Sequence, residues 1–145
     1  FEELIQLDPA ARENLIVGSN YYYTIDNPEN KKFVEAYKKK FKGVPPGYAG
    51  AAGYGLMKMT LLGMQKSGST EPQKVITALE EHKGKNFVGD FEIRGRNHQT
   101  VRPFFVLQTK KKNEMKNEYD MAEVVDVSST EQPKNINMCK DIGSF

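Results

Sequence analysis

From Tyr48 to Met64 apolar residues fall on nearly every face of a helix, so YAGAAGYGLMKMTLLGM predicts a helix covered on most sides. Its early turns hold Ala49, Gly50, Ala51, Ala52, Gly53 and Gly55, whose use is close approach by another backbone or a ligand. Gly68 is a natural stop. Ser69-Thr70-Glu71-Pro72 then opens an amphipathic helix over 71–82, with Ser69 or Thr70 as cap and Pro72 in its first turn. An earlier helix is predicted over 29–42, capped by Asp26 or Asn27, with Phe33, Val34, Tyr37 and Phe41 on one face.

Elsewhere the period changes. Phe1–Arg12 reads as helical until Pro9 breaks the pattern. The β-branched and aromatic run NLIVGSNYYY predicts a strand over 14–20 that leads into a loop. Phe87, Gly89, Phe91 and Ile93 alternate with polar neighbours and predict a strand over 87–93. Further strands are expected over 101–109 and 121–127, with a polar loop at Lys110–Lys116 and an irregular tail from Ser128. A strand, three helices and then strands would make a self-contained domain α+β.

Composition adds mainly exclusions. A net charge of +2 with 28% charged residues implies no polyanionic partner. Lys58 and Lys66 interrupt the longest apolar run, which falls short of the roughly 18 residues needed to span a bilayer. One cysteine, Cys139, forms no intrachain disulfide and no Cys-based zinc cluster.

No catalytic or phosphate-binding motif is present in the sequence, and no catalytic, metal or cofactor residue is assigned. His82 is read as an imidazolium meeting a helix end, and His98 as a structural residue of a hairpin turn. Lys38–Lys40 and Lys110–Lys112 lack interleaved aromatic rings and read as solvated faces, not a nucleic-acid surface. The tyrosines carry more. Tyr21, Tyr22 and Tyr23 leave a strand together, and Tyr48 stands at a helix start where free amides and the positive dipole end lie.

Five short motifs in order carry a resemblance across roughly Glu13–Lys140. They are the strand and helix from Leu15 to Lys38, the Tyr48-Ala49 helix with Tyr54 and its Gly68-Ser69 stop, and Phe87-Val88-Gly89-Asp90-Phe91. Arg94–Gln99 (RGRNHQ) follows, then Pro133 with Cys139-Lys140. Together they resemble the late part of type I periplasmic binding proteins, the receptors for branched-chain amino acids, amides and urea in ABC importers. The resemblance implies an incomplete two-lobed α/β fold with flavodoxin-like lobes and hinge crossovers. Residues 1–26 would end one lobe and make the first crossover, and 27–86 would form the helical part of the other. Residues 87–127 would return, and 128–145 would be the tail. The chain would cross near Tyr22–Asp26 and again near Asn86–Gly89, and would pack against N-terminal sequence of the same protein.

That family implies a non-enzymatic, extracytoplasmic receptor that closes on a small organic solute and delivers it to an ABC permease. The solute would be a branched-chain amino acid, an amide or a small aromatic acid. Location would be periplasmic or extracellular, with or without a membrane anchor through the N-terminus. Carried over onto this sequence, cleft contacts fall on Tyr48, Ala49 and Gly50, with Tyr22 and Tyr23 from the crossing. The main polar contacts would come from earlier segments. A ligand-sensing regulator or receptor ectodomain on the same fold is the alternative.

Overall fold

The computed structural model describes residues 2–129 apart from Glu81 and Arg96. Two short 3-10 helices, Glu2–Gln6 and Pro9–Arg12, replace the single helix expected at the start, because Asp8 takes the Ala10 amide and Pro9 begins a new turn. Strand β1 (Ile16–Ser19) follows.

Helix α1 (Pro28–Lys40) is capped by Asn27, whose side-chain oxygen accepts the Glu29 and Asn30 amides at 2.8 and 3.2 Å. Three lysines occupy its last turn, where cations suit the dipole. Helix α2 (Tyr48–Ser67) ends on Gly68, whose φ of 61° is the left-handed conformation that glycine adopts without strain. Helix α3 (Pro72–Leu79) is shorter than expected, and Glu71 rather than Ser69 or Thr70 is its cap residue; Ser69 Oγ instead accepts the Glu71 amide.

Helix α2 departs from its expected burial. Only Ala51 and Gly63 are buried, and Leu56, Met57 and Leu61 are 70%, 61% and 55% exposed. The reason is that its smallest side chains face its neighbours. A Cβ on Gly50 would come 3.1 Å from the Tyr37 ring, and one on Gly63 would meet Val75 Cγ1 at 2.7 Å. Close approach on the glycine side leaves the large side chains pointing outward.

The strand expected over 87–93 is half of a hairpin. Strand β2 (Lys83–Asn86) turns at Phe87-Val88 into β3 (Gly89–Ile93), with Asn86 opposite Gly89. Gly89 has φ 128°, a backbone state open essentially to glycine, which makes this two-residue turn possible. Phe87 and Val88 are buried at its tip, so the turn is apolar where turns are ordinarily polar. Strand β4 (Thr100–Val101) completes the sheet β2-β3-β4, and β5 (Pro103–Thr109) begins the return to the other sheet at Arg102. That second sheet has the order β1-β5-β6, with β6 (Ala122–Ser129) extending two residues into the expected irregular tail. Pro133, Cys139 and the rest of the tail lie outside the described residues. All described pairings are antiparallel.

One core joins the sheet β1-β5-β6, helices α1 and α2 and the tip of the β2-β3 hairpin. Leu107 is fully buried in the middle strand β5, in one cluster with Tyr21, Phe33, Phe105 and the hairpin-tip residues Phe87 and Val88. Phe33 stacks on Tyr54 with ring centres 4.3 Å apart, and Phe87 meets Tyr21, Phe33 and Tyr54 at 5.9, 5.5 and 5.2 Å. Asn27 Nδ2 donates to the Asn86 carbonyl at 3.0 Å, tying the segment before α1 to the hairpin.

Candidate functional site

A cleft of about 350 Å³ opens where the segment after β1 meets the start of α2. Tyr21, Tyr22 and Tyr23 form one wall, and Val44, Pro45, Pro46, Gly47 and Tyr48 another. Ile5, Tyr119 and Met121 close it. Among the described residues no charged side chain lines it. The rigid Gly43–Gly47 loop fixes the second wall, because two successive prolines restrict its backbone and place Gly47 as the cap residue of α2. Among the described residues no side chain caps the first-turn amides of that helix.

The tyrosines differ in what their hydroxyls do. Tyr22 donates to the Tyr119 carbonyl at 3.0 Å and accepts the Ala122 amide at 3.1 Å. Tyr23 donates to the same Tyr119 carbonyl at 3.2 Å, with the two rings 4.9 Å apart and Lys38 Nζ 5.3 Å above the Tyr23 ring. Tyr21 donates to Asn30 Oδ1 at 2.9 Å and belongs mostly to the core. Burial raises the phenol pKa of all three above the ordinary value, and for Tyr22 and Tyr23 neighbouring negative charge on Asp120 adds to it. They stay neutral, so what the wall presents is ring carbon. Tyr48 is 41% exposed, and its hydroxyl has no hydrogen-bond partner among the described residues.

Of the five expected contact residues, the cleft brings together Tyr22, Tyr23 and Tyr48. Ala49 is exposed on α2 outside the lining, and Gly50 packs against Tyr37. Tyr119, Met121 and the two prolines were not expected there. A tyrosine just ahead of a strand, in Asn117-Glu118-Tyr119-Asp120, is the one signal that pointed to Tyr119, and it repeats the placing of Tyr22 and Tyr23 at an element's end.

Other candidates take different roles. His82 is not an imidazolium at a helix end: partial burial, with Lys66 against its Nδ1, pushes its pKa down and favours the neutral ring. His98, at φ 52°, has its Nε2 2.9 Å from Glu80 Oε1 and links the turn to the end of α3. Lys110 is not a solvated loop residue but pairs with the buried Asp120 at 2.7 Å, whereas Lys111 and Lys112 are exposed. Among the described residues no group of three or more His, Cys, Asp or Glu is placed to hold a metal, and no helix is long and apolar enough to cross a membrane.

With this geometry in view, the model of the periplasmic binding protein family matches residues 2–114. The chain belongs to that family. Solved structures share its fold. An amino acid ABC transporter substrate-binding protein from Pseudomonas fluorescens is 26% identical with a TM-score of 0.84, over 92% of this chain and 35% of that one. A leucine-binding protein from Thermotoga maritima is 25% identical with a TM-score of 0.68, over 86% and 33%. A solute-binding protein of an ABC transporter from Rhodopseudomonas palustris, in complex with 3,4-dihydroxybenzoic acid, is 19% identical with a TM-score of 0.74, over 91% and 35%. A comparison with curated proteins found no match. This periplasmic binding protein chain therefore spans about a third of the length of the solved relatives, and its α/β fold is part of theirs.

Proposed function

We propose that this chain forms the cleft wall of an extracytoplasmic solute-binding receptor for an ABC importer. It binds a branched-chain amino acid, an amide or a small aromatic acid without turning it over. The observation that carries the reading is the cleft between Tyr22-Tyr23 and Tyr48, ring-lined and, among the described residues, without a charged side chain, in a chain of the periplasmic binding protein family. Recognition sites of this kind surround the apolar part of a small molecule and fix its orientation with few polar groups. Here the uncapped start of α2 and the Tyr48 hydroxyl are the polar groups on offer. The amino or carboxylate group of the solute is held by segments outside this chain.

In this reading residues 1–26 end one lobe, 27–86 are the helical part of the other, and 87–127 return. The segments near Tyr22–Asp26 and Asn86–Gly89 absorb the closure. The hydrogen bond from Asn27 to Asn86 keeps those two segments in step. The location is outside the cytoplasm and the partner is the permease of the importer.

Mass spectrometry of small molecules released on denaturing the purified protein tests this directly. An amino acid, amide or aromatic acid in near-stoichiometric amount is expected. A nucleotide, a metal or a reaction product accumulating with time would overturn the reading.

A further inference from the structure

We propose that Asp120, through its ion pair with Lys110, is a positioning residue that locks Tyr22 and Tyr23 into the cleft wall and so makes that wall selective for flat or branched hydrocarbon. The inference rests on the reading of the cleft as a solute site. Asp120 is 8% exposed and divides its two oxygens between opposite parts of one loop. Oδ1 takes Lys110 Nζ at 2.7 Å and Oδ2 takes the Lys116 amide at 3.1 Å. The Lys110 amide also donates to the Met121 carbonyl at 2.8 Å, closing the loop at its base. Inside it, Asn117 accepts the Tyr119 amide on its side chain at 3.0 Å and the Asp120 amide on its carbonyl at 3.1 Å.

This folding aims the Tyr119 carbonyl at the cleft wall. Both phenols donate to that one oxygen, which fills its two lone pairs, and the Tyr22 oxygen also accepts a backbone amide. A solute carboxylate or amide therefore finds neither phenol hydroxyl available as a donor. An apolar group meets ring carbon without stripping water from a free hydroxyl. The pair is suited to a fixed geometry because removing one partner strands the other charge at low exposure.

The chain has no tryptophan and seven tyrosines, so tyrosinate absorbance follows the phenols directly. In the wild type a group of tyrosines should titrate well above the exposed ones. Asp120→Asn should move two of that group down by on the order of one pH unit, part of it from the lost carboxylate charge alone. Lys110→Met, which leaves that charge in place, is therefore the deciding variant and should also move the two down, with Tyr21 unmoved on Asn30 and with Lys110→Arg restoring the wild-type curve. Native circular dichroism qualifies each variant. Should Asp120→Asn fail to fold, Lys110→Met, which keeps the Lys116 amide on the carboxylate, decides. An unchanged titration in a folded variant overturns the proposal.

Calorimetry with leucine and with 3,4-dihydroxybenzoate separates this from the solute reading. No binding of either by wild type counts against those solutes and leaves the titration to judge the lock. Equal affinity in wild type and Asp120→Asn, with the phenols released, overturns the positioning role.

Discussion

Asn30 Oδ1 accepts the Tyr21 hydroxyl at 2.9 Å, and the Asn30 side chain is fully buried. Its amide donates to the Tyr23 and Ile25 carbonyls at 3.0 and 2.9 Å, so one side chain on α1 satisfies three groups of the segment that forms the cleft wall. Asn30→Ala removes the partner of the Tyr21 hydroxyl and of the Tyr23 carbonyl, while the Ile25 carbonyl keeps the Asn27 amide at 2.9 Å, and should cost about 2–4 kcal/mol, since each buried unsatisfied group costs about 1–3. Asn30→Asp keeps an acceptor for Tyr21 but faces two carbonyls with no donor, so it should be no milder. Urea unfolding of the variants, followed by circular dichroism, measures both; a loss below 1 kcal/mol for Asn30→Ala would mean the segment rearranges around water.

Tyr54 and Tyr48 lie on the same helix and should answer differently to alanine. Tyr54 stacks on Phe33 and meets Phe87, with Lys58 Nζ 5.6 Å from its ring. Tyr54→Ala should lower stability by about 2–3 kcal/mol, below the 3–5 of a fully buried aromatic because the ring is half-buried. Tyr48→Ala should leave the melting temperature near wild type and weaken solute binding by about 1–3 kcal/mol. Thermal melts and calorimetric titrations with the solute identified by mass spectrometry give the comparison. Reversed effects would move the site off Tyr48.

Gly63 sets how closely α2 and α3 approach. An added Cβ would lie 2.7 Å from Val75 Cγ1 and 3.0 Å from both Leu79 Cγ and Cδ1. Gly63→Val should cost about 1–3 kcal/mol through overpacking, and Gly53→Ala, with no atom within 4 Å of its Cβ, should stabilise by about 0.5–1 through helix propensity. Denaturant midpoints of the two variants should move in opposite directions; the same direction would mean that helix propensity outweighs packing here.

These contacts show which parts of the fold the sequence announces. The α1 face of Phe33, Val34 and Tyr37, the Asn27 cap and the Gly68 stop are local signals, written in side chains within a turn of their effect. The placing of Tyr22, Tyr23 and Tyr48 at element ends was legible for the same reason. The Phe87-Val88 turn was not, because an apolar pair at a hairpin tip looks like strand until its burial by distant residues is known. Nor was the use of Gly50 and Gly63, since a glycine names a close approach but not the partner. The Lys110–Asp120 pair joins residues across a loop that composition alone marks as polar surface.

His82 gives a dependence on pH whose sign follows from its surroundings. Partial burial comes first, then the positive charge of Lys66, and both lower its pKa from the ordinary 6.5. The unfolded chain therefore binds the proton more readily than the folded one. Stability from this group is present above about pH 6.5 and is lost as pH falls through the folded value. The neutral ring suits its site, 5.3 Å from the Phe91 ring and against the Lys66 ammonium. Lys66→Met should raise the His82 pKa, as read by imidazole proton shifts in NMR, by removing the repulsion while leaving the burial. Between pH 7 and 5.5 the wild type should lose more denaturant resistance than His82→Gln, which carries no titrating ring. Parallel losses in the two proteins would show that the ring titrates alike in both states and that Lys66 exerts no net effect on it.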